Sequence, residues 1–187
     1  MIDVATRPVS RPEGRPRFRL SPRARKITLL THIAAAGAWL GIDVVLGVMV
    51  GIALLTGDGQ RAAVALQSLA LFTVWPLVVV GSTCLVSGLL LGLGSKYGLV
   101  RYWWVAIKLV LNVTLVTLVL FLLRPGVGDV SEAAREALLE GTAPPAVGDL
   151  VFPPVVSSTL VLIAMALSVF KPWGKIRRSA ATPPVDR

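Results

Sequence analysis

Four long apolar runs decide what this chain can become: Ile27–Leu55, Ala62–Leu93, Tyr102–Leu123 and, roughly, Leu150–Phe170. About 20 apolar residues in a helix cross a hydrocarbon core about 30 Å thick, so each run is long enough to span. The second run holds 32 residues, from 62 to 93. As one upright helix it would reach about 48 Å at 1.5 Å per residue, more than the core needs. Gln67 and Ser68 sit early in it, which places its first turns at the interface and the span proper from about Leu69. The runs therefore predict an all-α membrane protein with four transmembrane helices, over about 27–55, 69–93, 102–123 and 150–170, in an up-down bundle. Pro76 lies inside the second span, where it removes a backbone donor, frees the Phe72 carbonyl and predicts a kink. Ala36-Gly37-Ala38 resembles a signal-peptidase site, but apolar sequence continues past it to Leu55, the mark of a span.

Composition sharpens this reading through an apparent conflict. Hydrophobic residues make up 55% and charged residues 16%, yet the net charge is +9. The apolar share excludes a soluble enzyme and a disordered chain, and a single Cys excludes a disulfide-stapled module. The conflict resolves along the chain: 13 of the 19 basic residues lie before Ile27 or after Phe170. Residues 1–26 carry seven Arg and one Lys against Asp3 and Glu13, broken by four prolines. They predict a disordered basic cytoplasmic arm, attracted to anionic headgroups by about 1 kcal/mol per basic residue; no nucleic-acid partner is expected. Residues 171–187 predict a second basic tail.

The loops alternate in charge. The first (Asp58, Arg61) is neutral, and the second holds Lys96 and Arg101. The third holds Arg124 and Arg135 against Asp129, Glu132, Glu136, Glu140 and Asp149. This alternation predicts both termini in the cytoplasm, with Tyr102, Trp103, Trp104 and Trp173 as interfacial anchors on that side. Arg outnumbers Lys 14 to 5, which points to a bacterial source and its inner (plasma) membrane. The external loop 124–149 is expected to carry a short helix, capped at Asp129 with Glu132 three residues on and stopped at Gly141. It reads either as a solvated connector or as a lid or partner-docking element.

Ionisable groups inside spans are costly and draw attention first. Three qualify: His32, Asp43 and Lys108. At 100° per residue, His32, Trp39 and Asp43 fall within about 20° of one line. Lys108 and Asn112 share a face of the third span with Trp104. His32 and Lys108 lie at similar shallow depths and Asp43 deeper, so a direct Asp43–Lys108 pair is not the natural register. These five residues, His32, Trp39, Asp43, Lys108 and Asn112, form the candidate intramembrane site. The alternatives beside it are a structurally bonded histidine, a snorkelling lysine and a protonated aspartate. Gly37/Gly41, Gly47/Gly51 and Gly88/Gly92 repeat a G-x-x-x-G spacing suited to close helix packing. With that spacing beside the polar stripe, the first helix is expected to be the most buried, or to sit at an oligomer contact.

Cofactor chemistry finds few donors. One His, one Cys (Cys84) and three Met give no pair with ligand spacing, so no metal site is expected. A bis-His haem would need a homodimer sharing His32. No nucleophile–base pair, phosphate loop or H-E-x-x-H motif appears, which argues against an enzyme, and Cys84 reads as a small core residue.

Some of these residues fall into a familiar pattern. Leu30-Thr31-His32 followed by Trp39-Leu40-Gly41 resembles the opening of an uncharacterised family of small bacterial integral membrane proteins and, more distantly, of the copper-resistance-D-like (CopD-like) proteins. Ser87-Gly88, then Trp104-Val105-Ala106-Ile107-Lys108 and Asn112, are similar to the same pattern, as is the ending Phe170-Lys171-Pro172-Trp173-Gly174-Lys175. The likeness covers roughly residues 27–123 plus the tail, and His32, Trp39, Gly41 and Lys108 match by position. It implies a four-helix membrane domain without an assigned activity. Copper handling does not carry over, because CopD-like proteins are larger and this chain lacks the Met and His richness. The leading expectation is a non-enzymatic scaffold or accessory subunit, partnered by lipid and by a second copy or another membrane protein. The alternative is a homodimeric bundle that transports protons or small solutes, or binds a ligand, through His32, Asp43 and Lys108.

Overall fold

A computed structural model describes residues 20–94 and 102–170. Most of the basic arm, the tail 171–187, Lys96, Arg101 and Trp173 lie outside the described residues. Helix α1 runs Pro22–Leu55. It starts five residues before the apolar run because Ser21 caps it: the Ala24 amide donates to Ser21 Oγ at 3.2 Å, with Pro22 in the first turn. Arg23, Arg25 and Lys26, expected in the disordered arm, are therefore helical. Thr56 is extended and ends α1. Asp58 then caps α2 (Gly59–Leu69), accepting from the amides of Gln60 at 2.9 Å and Arg61 at 3.3 Å.

Two π-turns reshape the middle of the chain. The first, Ala70–Val74, joins α2 to α3 (Trp75–Leu93) in one continuous rod. Pro76 sits in the first turn of α3, immediately after it. The interruption expected at Pro76 thus takes the form of a widened turn, with the Thr73 hydroxyl donating to the Leu69 carbonyl. The second π-turn, Val119–Leu123, joins α4 (Trp103–Leu118) to α5 (Arg124–Glu140), again with a proline, Pro125, in the first turn that follows. This corrects the expected external loop. The third helix does not stop at Leu123 and restart at Asp129; it runs on to Glu140. A wider turn absorbs the proline, and tertiary packing holds the extension, since Val127, Ala134 and Ala137 are buried and α5 lies against α2. Gly141, at φ 67°, ends α5 in the left-handed region that glycine adopts freely. A 3₁₀ turn, Gly148–Val151, leads into α6 (Phe152–Phe170).

Among the described residues four helices are long and apolar enough to cross a membrane: Pro22–Leu55, Gly59–Leu93, Trp103–Glu140 and Gly148–Phe170. Their spanning parts, α1, α3, α4 and α6, stand in a ring in chain order, each packed on its sequence neighbour, with α6 closing back on α1. That is an up-down four-helix bundle. Trp39, Leu46, Val50, Leu66, Leu69, Leu77 and Val127 are its most deeply buried large apolar side chains. At one end α2 and α5 pair, and α1 packs on α2. The second rod, rather than α1, is the most buried of the four. Ile27, Val79, Phe121 and Phe170 point outward among many exposed aliphatics, the surface a bundle presents to lipid.

Candidate functional site

On α1 the polar stripe faces inward but splits between two neighbours. His32 turns toward α3, where its Nδ1 lies 3.0 Å from the Cys84 carbonyl and 3.0 Å from Ser87 Oγ. The Ser87 hydroxyl donates to the Thr83 carbonyl at 2.6 Å. Nδ1 is accordingly assigned the proton, donating to the Cys84 carbonyl. The Cys84 thiol is 3.7 Å from the same nitrogen, but a ring nitrogen that already carries a proton cannot act as its base. Trp39 and Asp43 turn toward α6. The Trp39 indole N–H donates to Ser157 Oγ at 2.8 Å, and the Ser158 hydroxyl donates to Asp43 Oδ2 at 3.3 Å. Ser157 lies beside the Asp43 carboxyl as well, so indole, hydroxyl and carboxyl sit side by side on the α1–α6 seam. Trp39 is 1% exposed and Asp43 2%.

On α4, Lys108 donates from Nζ to Ser168 Oγ of α6 at 2.9 Å and sits 4.8 Å above the Trp104 ring. Trp104 is buried, whereas Trp103 beside it is half exposed; of the expected anchors, Trp104 packs inward. Asn112, one turn deeper than Lys108, faces the Cys84 side chain across the α3–α4 seam, while its Oδ1 has no partner.

The five sequence-predicted residues therefore do not meet at one point. Lys108 bonds Ser168 and Asp43 bonds Ser158, ten residues apart on α6, or about 15 Å along the helix. The groove lined by Asp43 reaches neither His32 nor Lys108, and a second groove beside Thr31 and Thr83 reaches none of the three. Instead every seam of the bundle carries a polar contact, and the α1–α6 seam carries two. His32 joins α1 to α3, Trp39 and Asp43 join α1 to α6, Lys108 joins α4 to α6, and Asn112 joins α4 to α3. The ties close a ring.

The glycines depart from the expected packing role. A Cβ at Gly37, Gly41 or Gly51 would meet nothing within 4 Å, and one at Gly47 would meet Pro154 Cβ at 3.9 Å. Gly37 and Gly41 lie opposite the polar stripe, and since the stripe faces inward they are left on the outer face. Gly88 does serve close approach, with the His32 Cε1 3.1 Å from where its Cβ would be. Gly92 is buried. The closest helix approach falls at Gly81, which sequence reasoning passed over: its Cβ would sit 2.8 Å from Trp39 Cζ3.

Searches of family models, curated proteins and solved structures find no match to this chain. The resemblance given above thus rests on the residues quoted for it. Among the described residues no three of His, Cys, Asp and Glu come together as a metal site would require. His32, the one residue a shared haem could use, has its Nδ1 bonded into the α1–α3 seam.

The partners sequence reasoning missed are hydroxyls: Ser87, Ser157, Ser158 and Ser168. A signal was present. Ser157-Ser158-Thr159 is a run of three hydroxyls in an aliphatic span, and Ser168 lies eleven residues after Ser157, the same separation as His32 and Asp43. Positions eleven apart share a helix face.

Proposed function

We propose that this chain is a non-enzymatic scaffold or accessory subunit of a bacterial cell membrane, with both termini cytoplasmic. The observation that supports it most is the ring of polar ties. Each costly intramembrane side chain is engaged with a different helix pair, as a packing role requires and a shared transport path does not. Interhelical hydrogen bonds in lipid contribute about 0.6 kcal/mol on average and up to about 1.7, enough in sum to fix one arrangement of otherwise smooth aliphatic helices. The partner is a second copy or another membrane protein, and the open Gly37–Gly41 face of α1 is where backbone could approach closely. The basic stretches 1–26 and 171–187 favour anionic headgroups on the cytoplasmic side. The family resemblance points the same way, toward a small four-helix membrane domain.

The test is a pair of variants, His32→Ala and Asp43→Asn, purified in mild detergent and followed by thermal unfolding and by size on a column. Each is expected to lower stability by about 0.5–2 kcal/mol or to change assembly. If both unfold and assemble as the native protein does, the polar residues are not there for packing and the scaffold reading fails.

A further inference from the structure

On the outer side of the α1–α3 seam, which His32 ties from within, lies a groove of about 410 Å³, a volume typical of small-molecule sites. Leu30, Thr31, Ala34 and Ala38 line it from α1, and Val80 and Thr83 from α3. Ala34 and Ala38, one turn apart and both exposed, keep it open because their side chains end at Cβ. From Leu30 to Ala38 the α1 wall runs about 12 Å along the helix. Polarity is graded along this line. Arg23 and Lys26 lie seven and four residues before Leu30, on the same face of α1. Thr31 follows at the end of the groove nearest them, and beyond it the α1 wall is alanine.

Charge complementarity and unmet donors select the occupant. Among the described residues the ion pairs are Arg61–Asp58 and Arg135–Glu132, so the exposed Arg23 and Lys26 are in none. Apart from Asp43 at mid-span, every described carboxylate lies at the opposite end of the bundle, in or beside α2, α5 and the 3₁₀ turn. A basic end of this kind attracts phosphate and repels a choline head. The hydroxyls of Thr28 and Thr83 donate to the carbonyls four residues back, at 2.9 Å and 2.7 Å, whereas Thr31 makes no hydrogen bond among the described residues. A donor left unmet in hydrocarbon is costly, and the ester carbonyls of a phospholipid lie just below its phosphate. Cation, hydroxyl donor and aliphatic wall thus follow one another in the order phosphate, ester and acyl chain. We propose that this groove holds one anionic phospholipid, its phosphate at Arg23 and Lys26, an ester carbonyl accepting from Thr31 and an acyl chain along Ala34, Ala38 and Val80. The head then stands at the end of α1 where the basic residues meet water, whichever side of the membrane that is. A free phosphate would meet the cations and leave the groove unfilled. The site rests on neither the packing role nor the orientation proposed above, and it differs from the general attraction of the basic stretches, which fixes no lipid in place.

The test uses the full chain in detergent, mixed with equal amounts of phosphatidylglycerol and phosphatidylcholine of the same acyl chains and read by native mass spectrometry. The expected result is one retained phosphatidylglycerol per chain, bound roughly tenfold more tightly than phosphatidylcholine. Glycerol phosphate, which has the anion without the chains, should not displace it. Ala38→Leu keeps every charge but fills the groove, and should lower retention by about tenfold. Arg23→Gln combined with Lys26→Gln should bring the two lipids to equal retention, and Thr31→Val should weaken phosphatidylglycerol by about threefold. Circular dichroism checks that each variant folds; should Ala38→Leu not fold, the charge and Thr31→Val variants decide. No preference for phosphatidylglycerol, displacement by glycerol phosphate, undiminished retention by folded Ala38→Leu or by Thr31→Val, or a preference kept by the doubly neutralised chain would each overturn the proposal.

Discussion

Adding one methyl group at Gly81 tests the packing where two spanning helices meet most closely at a glycine. The Cβ of Gly81→Ala would lie 2.8 Å from Trp39 Cζ3, 3.0 Å from Cη2 and 3.1 Å from Val116 Cγ2, where carbon atoms prefer about 3.5–4.0 Å. Trp39 cannot swing aside freely, because it is fully buried and its indole N–H is held by Ser157 at 2.8 Å. Overpacking of this kind costs about 1–3 kcal/mol. Losing the indole bond would add about 0.6, and the better helix propensity of alanine would return up to about 1. The balance is a destabilisation of roughly 1–3 kcal/mol. Gly128→Ala on the exposed face of α5 is the internal control: its methyl meets nothing within 4 Å, so it should be neutral or slightly stabilising. Unfolding of the detergent-solubilised protein by a denaturing detergent, followed by circular dichroism, measures both. Trp39→Phe removes the two offending indole carbons, so in that background Gly81→Ala should lose at least half its cost. Equal stability of Gly81→Ala and Gly128→Ala would refute the reasoning, as would an unchanged cost when Gly81→Ala is combined with Trp39→Phe.

Two further predictions concern the parts outside the spans. The proposed orientation predicts that a fluorescent protein fused after Arg187 is bright and a fused alkaline phosphatase inactive, whereas a phosphatase inserted at Pro144 is active; the reverse pattern would invert the topology. On α5, Arg135 hydrogen-bonds Glu132 at 2.7 Å and holds its carboxyl below the usual range. A lowered folded-state value means stability present above the ordinary carboxyl range and lost as pH falls through the depressed one. Because both groups are exposed the effect is small: the acid side of the melting profile should flatten slightly in Glu132→Gln, and an identical profile would show the pair to be inert.

Much of the bundle is legible in the sequence because lipid imposes a coarse rule: a helix must be long and apolar, and Ile27–Leu55 or Tyr102–Leu123 satisfy it on inspection. Helix ends are less legible. Pro125 with Gly126 reads locally as a stop, yet a π-turn and burial of Ala134 and Ala137 against α2 carry the helix past them. Residues such as His32 and Asp43 announce themselves by charge, but their partners include serines, which look bland in an aliphatic span. Which neighbour each polar group faces depends on how the helices stand around the ring, and a periodicity argument made one helix at a time cannot supply that. The same limit explains the glycines: the spacing of Gly37 and Gly41 defines one face, while the direction of that face is set by Trp39 and Asp43 turning inward.

The four polar ties join four helices, and linking four objects needs only three connections. One tie is therefore redundant, and cutting any one leaves a string in which every helix is still reached from every other. Two cuts on opposite seams act differently. Losing the His32 and Lys108 contacts together would leave the α1–α3 and α4–α6 seams held by apolar packing alone. Each single loss should then cost its own increment, and the loss of two contacts on opposite seams should cost more than the sum of the two, so the coupling within the circuit shows only in the double variant.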